Sequence, residues 1–432
     1  MYLRKLVVNN FRAFEHFEWE IAPGEEAGWH VLLGANGCGK SSLLKAIALA
    51  ITGDKQFFAL RIPIESFVRV GSDTANIDLS LAWDIKWDIW TSREEDRGLD
   101  SEIRLSMSLT SSGPSTGMVS SVGKVPDESV WSDNAGWFSA AFGPMRRFSG
   151  GNDDNVRVFR GVPRLARHLS IFGEDVALTE SLQWLKDLHF WELESQQEHR
   201  TVPTKDFVSL LKRIKSFINQ PGFLPHGTRL DSVSKQSVNF SDGNGAQLSV
   251  LELSDGFRAM LSLTFELIRL MAECYRSDYA IFGEGNLTIV APGIVLIDEI
   301  DAHLHPEWQR TIGPWLTKLF PNIQFIVTTH SPYICQNATR GSIWSLPAPG
   351  TDQQPKRITG EQLNKVLYGD ILQILNSEAF GGMPGRSEAA GVALDRLAEL
   401  NRLESQGKID STQTSERKLL SEKLAPVLTN EV

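Results

Sequence analysis

The chain has 432 residues, with 43 lysines and arginines against 53 aspartates and glutamates, for a net charge of −10. That length holds two or three domains' worth of core. The acidic balance argues against a surface coated for nucleic acid but leaves room for a local basic groove. No apolar run approaches the length of a bilayer span. Three scattered cysteines, Cys38, Cys274 and Cys335, show neither metal-ligand spacing nor a disulfide framework, which fits a reducing cytoplasm.

The first residues, MYLRKLVVNNFRAF, alternate and soon meet charge, so they predict a strand rather than a signal peptide. In FEHFEWEI, Phe17, Trp19 and Ile21 form one apolar face of a second strand, and Pro23-Gly24 turns the chain. Trp29 to Leu33 reads as a short buried strand, Gly34 opens a glycine-rich loop, and SSLLKAIALAIT follows as a helix. Ile77, Leu79, Leu81, Trp83, Ile85, Trp87 and Ile89 fall on every second position and predict one long half-buried strand. After the charged turn SREEDRGLD, Ile103, Leu105, Met107 and Leu109 predict its antiparallel partner. Ser111 to Asp133, rich in Ser, Gly and Pro, reads as a mobile loop.

A mostly helical region runs from about Gly161 to Gln220, is punctuated by Pro221 to Gly227, and leads into short strands. From Leu253 helices and strands alternate, with IVLID and IQFIVTTH as buried strands of parallel-sheet type. From Glu361 the pattern is helical and polar. There is no internal repeat and no heptad pattern long enough for an extended coiled coil.

GANGCGKS, Gly34 to Ser41, matches G-x-x-x-x-G-K-[ST] between a strand and a helix. The glycines let successive backbone N–H groups turn inward around phosphate oxygens, and the helix N-terminus adds its positive end. In that setting Lys40 reaches the β- and γ-phosphates and the Ser41 hydroxyl ligates Mg²⁺. A chance glycine-rich turn would lack the correct flanks on both sides. Cys38 inside the loop has two readings: a thiol activated by the helix end and a lysine, or a position that tolerates a small side chain.

GIVLIDEID, Gly293 to Asp301, is an apolar strand ending in acids. Asp298 is placed to hold Mg²⁺ and Glu299 to orient or deprotonate a water. Alone, such a sequence could be a strand running into a solvated turn; an upstream phosphate loop makes that reading the poorer one. IQFIVTTHS ends at His330, at the strand edge where open parallel sheets bind ligands, so His330 is placed to meet the γ-phosphate or fix the water. His303 and His305 lack a third ligand and read as loop and helix cap. In LELSDGFRAML, Ser254 and Gly256 begin an apolar helix whose hydroxyl and free N–H groups suit phosphate.

Together LVVNNFRAF, GANGCGKS, LSDGFRAML, IVLIDEID, DAHLHP and TTHS resemble, in order and context, the motifs of ABC-type ATPases of the SMC, RecF and OLD-like group. The resemblance implies an α/β fold, an ABC-type P-loop ATPase head with a mixed β-sheet, flanking helices and an antiparallel β lobe. A helical insert and a helical C-terminal tail complete it. The expected boundaries are 1–110 and 251–345 for the two parts of the head, 111–250 for the insert and 346–432 for the tail.

It also implies roles. ATP and Mg²⁺ are the cofactors, with Arg12 approaching the nucleotide and Gly34, Asn36, Gly37, Gly39, Lys40, Ser41 and Ser42 cradling it. Ser41 and Asp298 serve the metal, Glu299 and Lys40 the hydrolysis, and His330 senses the γ-phosphate. Ser254 and Gly256 contact ATP held by a second copy, which implies a homodimer or higher homo-oligomer. Asp255 departs from the pattern, standing where many of these proteins carry a second glycine and adding negative charge near the phosphates. The Q-loop glutamine has no assigned position. Phe142 to Arg146 resembles a bacterial YGxxR segment with Phe for Tyr.

DEIDAHLHPEWQR and EAFGGMPGRS more narrowly resemble stand-alone bacterial anti-phage ATPases of the Septu and retron-associated types. The segment from Gly53 to Val250 is too short and interrupted for long coiled-coil arms, and neither a TOPRIM acidic set nor an HNH cluster is apparent. A partner effector, an HNH or TOPRIM nuclease or a toxin, would then do any cutting. Four alternatives frame the function: an ATP-driven switch for such an effector, a RecF-like DNA-repair ATPase, a non-hydrolysing scaffold, and, on fold alone, a transporter ATPase.

Arg157, Arg160, Arg164 and Arg167 have the spacing to stripe one helix face, but Gly161 and Pro163 interrupt that helix and work against the stripe, and Lys212, Arg213 and Lys215 form a second cluster. Both read first as solvated helix surface and second as a nucleic-acid or effector contact. In the tail, Leu394, Leu397, Leu400 and Leu403 precede KLLSEKLAPVL, which predicts two short amphipathic helices packed on the head, on a partner or on another protomer.

Overall fold

Alternating apolar residues build the first sheet. Strands β1 (Tyr2–Phe11), β2 (Phe14–Glu20), β4 (Thr74–Ala82), β5 (Glu102–Thr110) and β6 (Gly113–Ser120) lie antiparallel in the order β2-β1-β4-β5-β6. Leu6, Val8, Ile77, Leu81, Leu105 and Met107 are buried together in its core. The computed structural model describes residues 1–60, 62–83, 87–88, 102–110, 113–120, 128–131, 137–144, 163–173, 180–197, 205–275, 281–283, 288–351, 353–382 and 387–428.

The second sheet collects the purely apolar runs. β3 (Gly28–Gly34), β7 (Ser139–Phe142), β11 (Gly293–Ile297), β12 (Ile323–Thr329) and β13 (Gly341–Leu346) are parallel, β14 (Lys356–Arg357) is antiparallel, and the order is β14-β13-β3-β12-β11-β7. Both faces of β11 and β12 are buried, the reason these strands read as unbroken apolar runs. Helix α1 (Lys40–Thr52) packs against strands of both sheets and is buried on nearly every side. That placement fixes the phosphate loop at the carboxyl end of β3.

Helices α2 (Glu180–Gln197) and α3 (Lys205–Ile218) pack on each other, and α2 also meets α4 (Asp255–Tyr275). A small sheet of β8 (Arg229–Val233), β9 (Val238–Ser241) and β10 (Gln247–Ser249) precedes α4. Helices α5 (Pro306–Leu319) and α6 (Gly360–Tyr368) complete the first of two units, Met1–Tyr368. The second unit, Gly369–Val432, contains α7 (Glu388–Ser405) and α8 (Ser411–Leu428). These two pack on each other, with Leu397, Leu400 and Leu424 buried and Arg396 forked onto Glu416 by two 2.9 Å hydrogen bonds.

Three expectations need correction. The Ser111–Asp133 stretch is not all loop, because residues 113–120 form β6, paired along its length with β5. Its Gly and Pro content suits the last strand of the sheet, where Pro costs no ladder hydrogen bond. The strand from Ile77 ends at Ala82, which pairs with Tyr2 on one side and Glu102 on the other. Trp87, which continues the alternation, packs its ring edge-on against Tyr275 instead; residues 84–86 and 89–90 lie outside the described set.

The third correction concerns Arg164 and Arg167, which are neither solvated nor available to a ligand. Arg164 is fully buried, stacks its guanidinium 4.4 Å from the Trp137 ring and donates to the Val130 carbonyl. Arg167 is buried beside β7 and donates to the Ser139 carbonyl at 3.2 Å. Arg157 and Arg160 lie outside the described residues.

Candidate nucleotide site

The phosphate loop is held from both sides by its neighbours. Gly39 has φ +100°, and a Cβ there would lie 2.5 Å from the Phe14 ring, so both conformation and space demand glycine. Phe14 follows the two-residue turn at Arg12–Ala13, which seats the β1–β2 hairpin against the loop. Gly34 is equally confined, since its Cβ would lie 2.6 Å from Cys38 Sγ. Cys38 is buried and burial pushes its thiol pKa up, which favours a position that takes a small side chain over an activated thiol. Asn36 and Gly37 are exposed at the loop tip and Ser42 is buried. No side chain caps the start of α1, and its first turn carries no acid, leaving its leading N–H groups and positive end for an anion.

Behind the loop, three strand ends converge. Lys40 Nζ donates to the carbonyls of Gly34 (2.8 Å) and Ala35 (3.1 Å) and to His330 Nε2 (2.9 Å). Burial lowers the Lys40 pKa. His330 is also held below its ordinary range, by burial first and then by the lysine charge. The Ser41 hydroxyl donates to Asp298 Oδ1 at 2.9 Å, and the Thr328 hydroxyl donates to the same oxygen at 2.6 Å. Thr328 in turn accepts from the Glu299 N–H at 2.7 Å. Glu299 has φ +46°, an uncommon conformation for a non-glycine residue, and this hydrogen bond helps hold it.

Lys40, Ser41, Asp298, Glu299 and His330 therefore share one edge of the parallel sheet. Arg12 occupies the hairpin turn with φ +50°, its guanidinium 4.9 Å over the Phe67 ring and its Nε donating to the Ser66 carbonyl at 3.0 Å. Ser254 and Gly256 stand at the start of α4 with a different set of neighbours: Ser254 is exposed, and Gly256 faces Trp308. Asp255 forms an ion pair with Arg258 one turn along α4, so its charge has a partner on its own helix. His305 caps α5 by accepting from the Glu307 N–H, and His303 is exposed in the preceding turn. Among the described residues no group of His, Cys, Asp and Glu forms a metal-binding cluster.

Phe142 is buried at the end of β7, and its carbonyl accepts from the Asp298 N–H at 2.8 Å; Met145 and Arg146 lie outside the described residues. Sequence reasoning passed over Thr328, Thr329 and Gln309. The paired threonines of TTHS were visible beside His330, but only the register of β12 against β11 shows that Thr328 reaches Asp298 and Glu299. Gln309 lay inside the DEIDAHLHPEWQR run but carried no assigned role there, because its partners Leu304, Ser331 and Asn337 come together only in the fold.

Comparison with a crystal structure of an SMC head bound to the C-winged helix domain of ScpA gives a TM-score of 0.50 at 15% identity, over 83% of this chain and 98% of that one. The chain has the fold of an SMC-type ATPase head. Sequence models agree at both ends of this head: one described as "AAA domain, putative AbiEii toxin, Type IV TA system" matches residues 162–336, and one described as "AAA domain" matches residues 5–79. The Retron Ec83 probable ATPase of Escherichia coli is 41% identical over 135 residues, 29% of this chain and 22% of that protein. The Septu protein PtuA of Bacillus mycoides (strain KBAB4) is 26% identical over 363 residues, 79% of this chain and 40% of that protein. The chain thus has a retron probable ATPase and a Septu protein PtuA as homologues, and its matches span less than half the length of either.

The donor set fits a nucleotide with Mg²⁺. An uncapped helix start, a lysine ammonium and glycines that admit no side chain suit phosphate. A hydroxyl and a carboxylate 2.9 Å apart suit a hard cation that keeps several waters.

Proposed function

We propose that the chain binds and hydrolyses ATP and that two copies close around it as a switch. The observation that carries this reading is the convergence of Lys40, Ser41, Asp298, Glu299 and His330 at one sheet edge, in front of the uncapped start of α1. The backbone of Gly34 to Ser41 and the Lys40 ammonium hold the phosphates, with Arg12 approaching from the hairpin. Ser41 and Asp298 hold Mg²⁺, which supplies charge neutralisation at the phosphates when bound.

Glu299 orients the attacking water and accepts its proton, with its backbone pinned by Thr328. His330, neutral and oriented by Lys40, is positioned to report the γ-phosphate. Ser254 and Gly256, away from the loop's own contacts, are the surface offered to ATP held by a second copy.

The head is then read as residues 1–110 and 251–345, with the insert 111–250 adding β6 and β7 to its two sheets and the tail 346–432 adding β14. Kinship with Septu and retron ATPases supports a place in bacterial anti-phage defence, with a separate nuclease or toxin as the controlled effector. The test is steady-state ATP hydrolysis. Lys40→Ala and Glu299→Gln should each abolish it, and Glu299→Gln should trap the closed pair with ATP. Full turnover by either variant defeats the assignment.

A further inference from the structure

Trp308 and Gln309 are consecutive residues in the first turn of α5, pointing about 100° apart around the helix axis, and they meet different parts of the molecule. Gln309 Oε1 accepts from the Ser331 hydroxyl at 2.6 Å, and its Nε2 donates to the Leu304 carbonyl at 2.8 Å and the Asp301 carbonyl at 3.4 Å. Its backbone carbonyl accepts from Asn337 Nδ2 at 2.9 Å. Ser331 directly follows His330, and its N–H donates to Thr329, whose hydroxyl donates to Asp301 at 2.6 Å. One side-chain amide therefore joins the end of β12 to the turn after Glu299. The amide offers both the acceptor and the donor that these partners need.

Trp308 turns the other way. Its ring lies edge-on to Phe257, with centroids 5.3 Å apart, and its Cδ1 is 3.5 Å from where a Cβ on Gly256 would sit. It supports the start of α4, where Ser254 and Gly256 stand.

We infer that Gln309 and Trp308 are positioning residues that tie the strand end bearing His330 to the start of α4. The state of a protomer's own phosphate loop then sets the helix end that it offers to a second copy. This rests on the ATP-sandwich reading above. A shift at Ser331 moves Gln309; the hydrogen-bonded turn of α5 carries Trp308 with it; and the Trp308 ring displaces Gly256 and Phe257. These are contiguous packed and hydrogen-bonded contacts of the kind that carry coupling, and coupling must be measured to be assigned.

The experiment measures hydrolysis rate against ATP concentration, together with the affinity for a fluorescent ATP analogue. Wild-type protein should show a Hill coefficient above one. Gln309→Leu and Trp308→Ala should each bring it to one and lower kcat by about tenfold, with analogue affinity within about twofold of wild type. The double variant should be no worse than either single variant, as expected for members of one unit. Trp308→Phe, which keeps an aromatic ring against Phe257, should recover most of the loss, and Gln309→Glu, which keeps only the acceptor, should fall between.

Wild-type kinetics and Hill coefficient in both Gln309→Leu and Trp308→Ala would overturn the inference. So would a non-cooperative wild-type enzyme, or loss of analogue affinity in parallel with turnover. A wild-type chain that hydrolyses no ATP overturns the ATPase reading itself, and this inference with it.

Discussion

Lys40 Nζ donates to His330 Nε2 at 2.9 Å, joining the first turn of α1 to the residue that follows β12. The ammonium needs a lone pair there, so the imidazole is neutral with its proton on Nδ1. Burial and then the lysine charge hold the His330 pKa below its ordinary value. Lys40→Met removes the charge and the donor, so the His330 pKa should rise toward its ordinary value in nucleotide-free protein. Imidazole NMR titration reads this directly, and an unmoved midpoint would show that the contact does not set the protonation state.

Acid stability depends on two other histidines. His30 donates from Nε2 to the Glu26 carbonyl and accepts at Nδ1 from Ser342, and burial first of all lowers its pKa to about 4. His168 donates from Nδ1 to the Arg164 carbonyl, its Nε2 has no hydrogen-bond partner among the described residues, and burial lowers its pKa to about 3. Because the folded chain binds these protons more weakly than the unfolded chain, nothing is lost above pH ~6.5 and stability falls as pH drops from there toward 4 and 3. At pH 4.5 the two sites together should cost on the order of 5 kcal/mol. His168→Gln should flatten the slope between pH 6.5 and 4.5 in urea-unfolding series, whatever its stability at neutral pH. An unchanged slope would count against a buried neutral imidazole.

Arg164 should behave as a core residue. Its guanidinium stacks on Trp137 and donates to Val130, and removing it strands a buried carbonyl and leaves a cavity. Arg164→Met is expected to cost about 2–4 kcal/mol, and Arg164→Glu to prevent folding. A loss below about 0.5 kcal/mol in denaturant midpoints would match a surface residue and contradict the packing.

Cys38 should be slow to react despite its place in the phosphate loop. Burial under Gly34 raises its pKa, and Cys335 is raised likewise. At pH 7.5, iodoacetamide should modify Cys38 at least about tenfold more slowly than a free thiol. Peptide mass mapping over time resolves the site. Rapid labelling that ATP prevents would restore the activated-thiol reading.

Much of the fold was legible because its signals are local. Period-two alternation marked β1, β2, β4 and β5, and unbroken apolar runs marked β3, β11 and β12. β6 was not legible: its Ser, Gly and Pro composition is that of a loop, and it becomes a strand only by pairing with β5. The length of β4 was overread because Trp87 keeps the alternation while packing on Tyr275. In the site, Lys40, Ser41, Asp298, Glu299 and His330 could be named from motifs, whereas Thr328 and Gln309 depend on strand register and on contacts far apart in sequence. Arg164 shows the same limit from the other side, since spacing alone places four arginines on one helix face and says nothing of what covers it.

In the proposed ATP sandwich, each working site combines one chain's phosphate loop and acids with another chain's Ser254. Ser254→Arg and Glu299→Gln should each inactivate the homomeric protein. Mixed in equal amounts, they form hetero-pairs with one site in which both parts are intact. The decisive measurement is ATP hydrolysis by that mixture, with hetero-pairs confirmed by mass. Activity well above either variant alone is the predicted result; hetero-pairs that form yet hydrolyse no ATP would contradict a site shared between chains.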